Sequence, residues 1–157
     1  MSEFRPREGT FEATDARFAI VVSRWNREIT ESLLSGAMRA LTRHGVGEEM
    51  ISVYRVPGAF ELPLAASRVA RTGKVDAIIA LGCVIRGDTP HFEYVCSECT
   101  RGIGEVALQE NLPVCFGVLT TDNLDQALAR AGDNEENKGE EAALTALEMV
   151  TLFRRIR

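Results

Sequence analysis

Phe18-Ala19-Ile20-Val21-Val22 is apolar at every position, and no other stretch constrains the fold of this chain as tightly. A strand turns alternate side chains to opposite faces of its sheet, so a strand of this kind needs cover on both. Met50-Ile51-Ser52-Val53-Tyr54-Arg55-Val56, Val75-Asp76-Ala77-Ile78-Ile79-Ala80-Leu81 and Pro113-Val114-Cys115-Phe116-Gly117-Val118-Leu119 read as three further strands. After each strand, apolar residues recur at helical spacing: Leu33, Leu34, Ala37, Met38 and Leu41; Leu64, Ala65, Ala66, Val69 and Ala70; then a stripe from Phe92 to Ala107. A last helix turns Ala143, Ala146, Leu147, Val150 and Phe153 inward.

Strands that alternate with helices pair in parallel through right-handed crossovers. The expected class is therefore α/β: a three-layer α/β/α sandwich around a central four-stranded parallel sheet, flavodoxin-like in outline. The 157 residues suffice for one domain spanning 1–157, in which 1–16 form a polar N-terminal arm anchored by Phe4 and Phe11 and able to pair with a neighbour's sheet edge. Thr30 is expected near the start of the first helix, Gly45 caps its end and His44 lies on the surface there. Pro57-Gly58 breaks the second strand, Ala59 to Pro63 open a helix that Gly73 stops, and the third strand ends before Gly82. Gly117 interrupts the fourth strand, after which Thr120 to Asn123 cap a short helix bearing Leu124, Ala127 and Leu128 and closed at Gly132.

A formal net charge of -5 and a pI near 5.2 argue against a nucleic-acid partner, which calls for a clustered basic face. Arg154, Arg155 and Arg157 do cluster, at a helix end where cations oppose the dipole. No apolar run is long enough to span a membrane and the first residues lack the apolar core of a secretion signal, so a cytoplasmic protein with no membrane partner is expected. Cys83, Cys96, Cys99 and Cys115 fall within predicted strands and a helix and are read as reduced, buried thiols. Cys96 and Cys99 have half the spacing of a zinc site, but no second pair follows, and no metal is expected.

In sheets of this class ligands bind beyond the carboxyl ends of the strands. The residues with chemistry in this chain collect there: Trp25 and Asn26 after the first strand, Phe60 and Glu61 after the second, Cys83 to His91 after the third, and Thr120 to Asn123 after the fourth. The stretch from Gly82 to Val95 is the strongest of these. Two glycines, Thr89, Pro90 and one of only two histidines lie there between a strand and a helix. Thr89 followed by Pro90 reads as an N-cap with proline at the first helical position, a helix start that offers free amides to an anion.

Six stretches, in order along nearly the whole chain, carry a resemblance: Arg24-Trp25-Asn26, Val56 to Pro63, Leu81 to Gly87, Pro90 to Val95, Phe116 to Thr121, and Glu136-Asn137-Lys138-Gly139. In these the sequence resembles the lumazine synthase family. The resemblance implies an enzyme that condenses 5-amino-6-(D-ribitylamino)uracil with 3,4-dihydroxy-2-butanone 4-phosphate, giving 6,7-dimethyl-8-ribityllumazine, phosphate and water, with neither a metal nor an organic cofactor. Residue by residue, it implies that Trp25 stacks on the pyrimidine. Ala59, Phe60 and Glu61 hold the pyrimidine and ribityl chain, and Cys83, Val84 and Ile85 meet the pyrimidine partly through their backbone.

On the same resemblance Asp88 and Thr89 contact the phosphate, Asp88 through its backbone because a carboxylate would repel the anion. His91 moves protons, as an imidazole can near neutral pH. Arg130 grips the phosphate, and Phe116 and Lys138 reach the pyrimidine and the ribityl region. These last three come from the adjacent subunit in the family, which implies a homo-oligomer, a pentamer or an icosahedral shell of pentamers. Asp133, Glu135 and Glu136, where the family often has small or basic residues, weigh against the shell. Two other readings keep the fold: a flavin- or lumazine-holding module without turnover, and a purely structural shell protein. Ser23-Arg24-Trp25-Asn26-Arg27 is not a flavodoxin phosphate loop, which counts against the first.

Overall fold

The computed structural model describes residues 4–156; Met1, Ser2, Glu3 and Arg157 lie outside the described residues. Four strands, β1 (Phe18–Ser23), β2 (Ile51–Val56), β3 (Ala77–Ile85) and β4 (Val114–Thr121), form one sheet in the order β2-β1-β3-β4. Every pairing is parallel. Among the described residues five α-helices cover it: α1 (Arg27–Arg43), α2 (Leu62–Ala70), α3 (His91–Glu110), α4 (Leu124–Arg130) and α5 (Lys138–Arg155). This is the expected three-layer α/β/α sandwich.

The two faces have separate cores. Phe18, Ile20, Val22, Ile79 and Leu81 pack with Leu33, Ala37 and Leu41 of α1 and with Ala143, Ala146 and Leu147 of α5. Ala19, Val21, Ile78 and Ala80 pack on the other face with Leu62 and Ala66 of α2 and Cys99, Ile103 and Val106 of α3. All six residues of β1 are buried, as its unbroken apolar sequence requires. β2 is an edge strand and mostly exposed, so polar Ser52 and Arg55 are tolerated there. Among the described residues no helix is long and apolar enough to cross a membrane.

Several boundaries differ from expectation. β3 does not stop before Gly82; it runs to Ile85 because Gly82 is a packing glycine, with the place of its missing Cβ 2.9 Å from Ser23 Oγ. β4 likewise runs through Gly117, where a Cβ would lie 2.6 Å from a Leu81 methyl. Thr30 does lie in the first turn of α1, which starts at Arg27: Asn26 takes the left-handed conformation (φ 61°) and its carbonyl accepts the amides of Ile29 and Thr30. Gly45, at φ 88°, does end that helix. His44 is half-buried, its ring 5.3 Å from that of Phe11.

The arm from 4 to 16 is docked on α5 of its own chain. Thr10 exchanges hydrogen bonds with the Thr151 hydroxyl on α5, at 2.7 and 2.8 Å. Asp15 pairs with Arg154, and the Arg155 guanidinium donates to Glu8 O. Ala13 and Ala16 are the buried anchors, while Phe4 is 90% exposed. Leu124, Leu128 and Phe153 also face outward, leaving Ala127 as the buried residue of α4.

Candidate functional site

β3 outruns β1, and a cavity opens where it does. The β1–β3 register ends at Val22 opposite Leu81, whereas the β3–β4 register continues to Ile85 opposite Thr121. From Gly82 to Ile85, β3 therefore has a partner strand on one side alone, and on its other edge Cys83 O accepts a side-chain amide, Asn26 Nδ2, in place of a strand. Beside that edge lies a cavity of ≈ 470 Å³ lined by Trp25, Asn26, Ala59, Phe60, Glu61, Cys83, Val84, Ile85, His91, Tyr94 and Val95.

Each wall has a local cause. Arg24 and Trp25 continue from β1 alongside the end of β2, their amides donating to Val56 O and Pro57 O at 2.7 and 3.0 Å. The Trp25 ring then lies on Gly58, where a Cβ would stand 2.4 Å from it, so only glycine admits the ring. Trp25, Phe60 and Tyr94 remain 62%, 57% and 75% exposed, three large aromatic surfaces at the mouth of the cavity. Glu61 accepts the Gly58 amide at 3.1 Å across a 3₁₀ turn, Ala59–Glu61. Asn26 makes no side-chain cap for α1; its Nδ2 donates to Cys83 O at 3.0 Å and ties the first loop to β3.

Burial pushes the Cys83 thiol up to about 11, so it stays protonated at neutral pH and lines the pocket as a small hydrophobe. Cys99 and Cys115 are pushed up to about 12 by the same cause. All four cysteines are free, and among the described residues no three His, Cys, Asp or Glu side chains gather as metal ligands.

Arg86 to Pro90 form the exposed turn from β3 to α3. α3 begins at His91, one residue later than expected, with Pro90 in the cap position. The Thr89 hydroxyl still accepts the His91 amide, at 3.4 Å, as an N-cap side chain would. Arg86 donates through Nε to Asp122 at 2.9 Å and through Nη1 to Glu93, and its guanidinium lies 4.4 Å over the Phe92 ring.

Phe116, Arg130 and Lys138 stand apart from this cavity. They gather with Gly117 to Thr121 around a second hollow, of ≈ 260 Å³, on the outer edge of β4. Arg130 donates to Gln126 O and Lys138 pairs with Glu141 at 2.8 Å. Asn137, fully buried, sets their geometry. Its Nδ2 donates to Ser32 O, Ala131 O and Gly132 O, and its Oδ1 accepts the amides of Gly139 and Glu140 at the start of α5.

The family model described as 6,7-dimethyl-8-ribityllumazine synthase matches residues 15–154 of this chain. The chain belongs to that family. Its members are transferases of riboflavin biosynthesis, and lumazine synthase activity is the activity they share. Of the residues that resemblance marked, the structure brings Trp25, Ala59, Phe60, Glu61, Cys83, Val84, Ile85 and His91 around one cavity, with Asp88 and Thr89 on the adjoining turn. It places Phe116, Arg130 and Lys138 elsewhere on the same lumazine synthase fold. Sequence reasoning placed Asn26 at the strand end without giving it a role, and passed over Tyr94 and Val95 as lining residues. Tyr94 was findable: it follows His91 by three residues on a helix and so shares its face.

Proposed function

We propose that this chain condenses 5-amino-6-(D-ribitylamino)uracil with 3,4-dihydroxy-2-butanone 4-phosphate to give 6,7-dimethyl-8-ribityllumazine, releasing phosphate and water. The observation that carries this reading is the overhang of β3. From Gly82 to Ile85 its edge toward the cavity has no partner strand, and the backbone groups there that Asn26 does not occupy suit the donors and acceptors of a pyrimidine, with the exposed Trp25 ring at hand as a stacking surface. Glu61 is the acceptor for ribityl hydroxyls, together with Ala59 and Phe60. Asp88 and Thr89 lie on the turn before α3, where first-turn amides attract a phosphate.

In the reaction the 5-amino nitrogen attacks the ketone carbon and a C=N bond forms as water leaves; elimination of phosphate turns the neighbouring hydroxyl-bearing carbon into a carbonyl, and the second nitrogen adds to it and closes the ring as a second water leaves. His91, beside the cavity, carries protons in these steps, and no thiol is needed. Most of the rate comes from holding the two substrates together.

Phe116, Arg130 and Lys138 complete the site of an adjacent copy. Their separation from the cavity within one chain favours a homo-oligomer, and we assign a pentamer. The acidic turn Asp133 to Glu136 disfavours an icosahedral shell. Soluble metabolites as substrates fit a cytoplasmic location, and the whole of 1–157 is assigned to one domain. The test is to mix the protein with both substrates and follow the fluorescent lumazine. Turnover above the uncatalysed background is expected; turnover equal to it refutes the enzyme in favour of a ligand-holding module. A solution mass below that of a ring, with activity retained, refutes the shared site.

A further inference from the structure

We infer that Arg86 is a positioning residue for the proposed condensation, a three-way clamp that fixes the turn from Gly87 to Pro90 and the first turn of α3 that carries His91. The inference rests on the function proposed above.

Arg86 is the first residue beyond β3, and its amide donates to Thr121 O at 2.8 Å, so its backbone is fixed to the end of β4. Its side chain then reaches in two directions. Nε donates to Asp122 at the end of β4, and Nη1 donates to Glu93 in the first turn of α3. The flat of the guanidinium rests on Phe92, which is buried. His91 is the residue just before Phe92 and Glu93, so gripping those two sets where the imidazole begins.

The turn has little else to hold it. Every residue from Arg86 to Pro90 is exposed, and the place of a Gly87 Cβ has no atom within 4 Å. A connection also leads toward the second hollow. The Asp122 amide donates to the Gln126 side chain at 2.8 Å, and Gln126 O accepts from Arg130 at 2.9 Å. One guanidinium thus stands between the residue proposed to move protons and the arginine offered to the neighbouring site.

The geometry calls for arginine. A planar fork donates at fixed angles to two carboxylates while it stacks, and the point charge of a lysine does not. Arg86, Glu93 and Asp122 side chains are 44%, 52% and 63% exposed, and ion pairs at such exposure add little to stability. What the clamp supplies is placement.

The experiment compares Arg86→Gln, Arg86→Lys, Glu93→Gln and the double variant Arg86→Gln/Glu93→Gln with wild type in the steady-state condensation, alongside melting temperatures. For Arg86→Gln, kcat/KM for the phosphate-bearing substrate is expected to fall about tenfold or more, since small misplacements at a reacting centre are costly. The KM for the uracil amine and the melting temperature stay near wild type. Lysine does not rescue, and the double variant is no worse than Arg86→Gln, because both remove one interaction. Wild-type kinetics in Arg86→Lys, or additive losses in the double variant, overturn the inference. If Arg86→Gln fails to fold, Glu93→Gln decides, and its wild-type kinetics likewise refute the clamp. A wild-type protein without turnover overturns the function and this inference together, whereas an active wild type with unaffected variants sinks the inference alone.

Discussion

Asn137 is where a single substitution separates structural support from chemistry most cleanly. Replacing it with alanine removes five hydrogen-bond contacts at once, three of them sharing the two Nδ2 hydrogens, and leaves their partners behind. Two of those bonds, to Ala131 O and from the Gly139 amide, are fully buried. Losing the partner of a buried group costs about 1–3 kcal/mol each, and the three part-buried bonds, which water can reach, about 0.5 kcal/mol each. The total is about 4 kcal/mol or more, at the upper end of what single substitutions do.

For a chain of this length that destabilisation corresponds to a melting temperature lower by roughly 8–16 °C. Asn137→Ser, which keeps a short acceptor for the α5 amides but has a single O–H in place of the two amide N–H donors, should fall between wild type and alanine. The assay is thermal and urea unfolding at fixed protein concentration, since any assembly makes apparent stability depend on concentration. A loss below about 1 kcal/mol for Asn137→Ala would mean that water replaces the side chain and that the anchor is unimportant.

His91→Ala is expected to slow the condensation by roughly 10²–10⁴-fold, the usual worth of a positioned acid–base group, while the exposed position leaves melting unchanged; full turnover would remove His91 from the chemistry. Arg130→Ala should raise the KM for the phosphate-bearing substrate and spare that for the uracil amine, and wild-type kinetics would reject the assignment. Stability should also decline in alkali. The unfolded chain loses its thiol protons near the ordinary value of 9.0, whereas the native state holds those of Cys83, Cys99 and Cys115 to about 11, 12 and 12. This contribution is therefore complete below pH 9 and lost as pH rises through 11 to 12. Urea midpoints measured against pH should show a shallower alkaline decline in Cys99→Ala, and an unaltered slope would refute it.

The layered architecture was legible because the evidence for it is local. An unbroken run such as Phe18 to Val22 and the stripe in α5 each state, within a few residues, which faces need cover. What misled was glycine. Gly82 and Gly117 have the composition of a break but the role of a close contact, and only the neighbouring Ser23 and Leu81 distinguish the two. Val84 and Ile85, β-branched residues just after Gly82, were the local hint that β3 continued.

The arm was misjudged for a related reason. Thr10 meets Thr151 from 141 residues away, a pairing that no window of sequence contains. At the site, strand-end composition found Trp25, Glu61 and His91. The split of Phe116, Arg130 and Lys138 from the rest came from the resemblance, and residue pattern alone had no way to suggest it.

The amide of Asn26 bears on the order in which the molecule is built. A helix that begins with asparagine can usually finish its own first turn, but here the side chain is committed to a carbonyl 57 residues further on. A ribosome that has released β1 and α1 alone has released a loop without its tether. When β3 arrives beside β1, the stacking ring and the overhanging strand are joined in the same event. The pocket is thus not put together from halves that exist beforehand; its two walls come into register only when the centre of the sheet does.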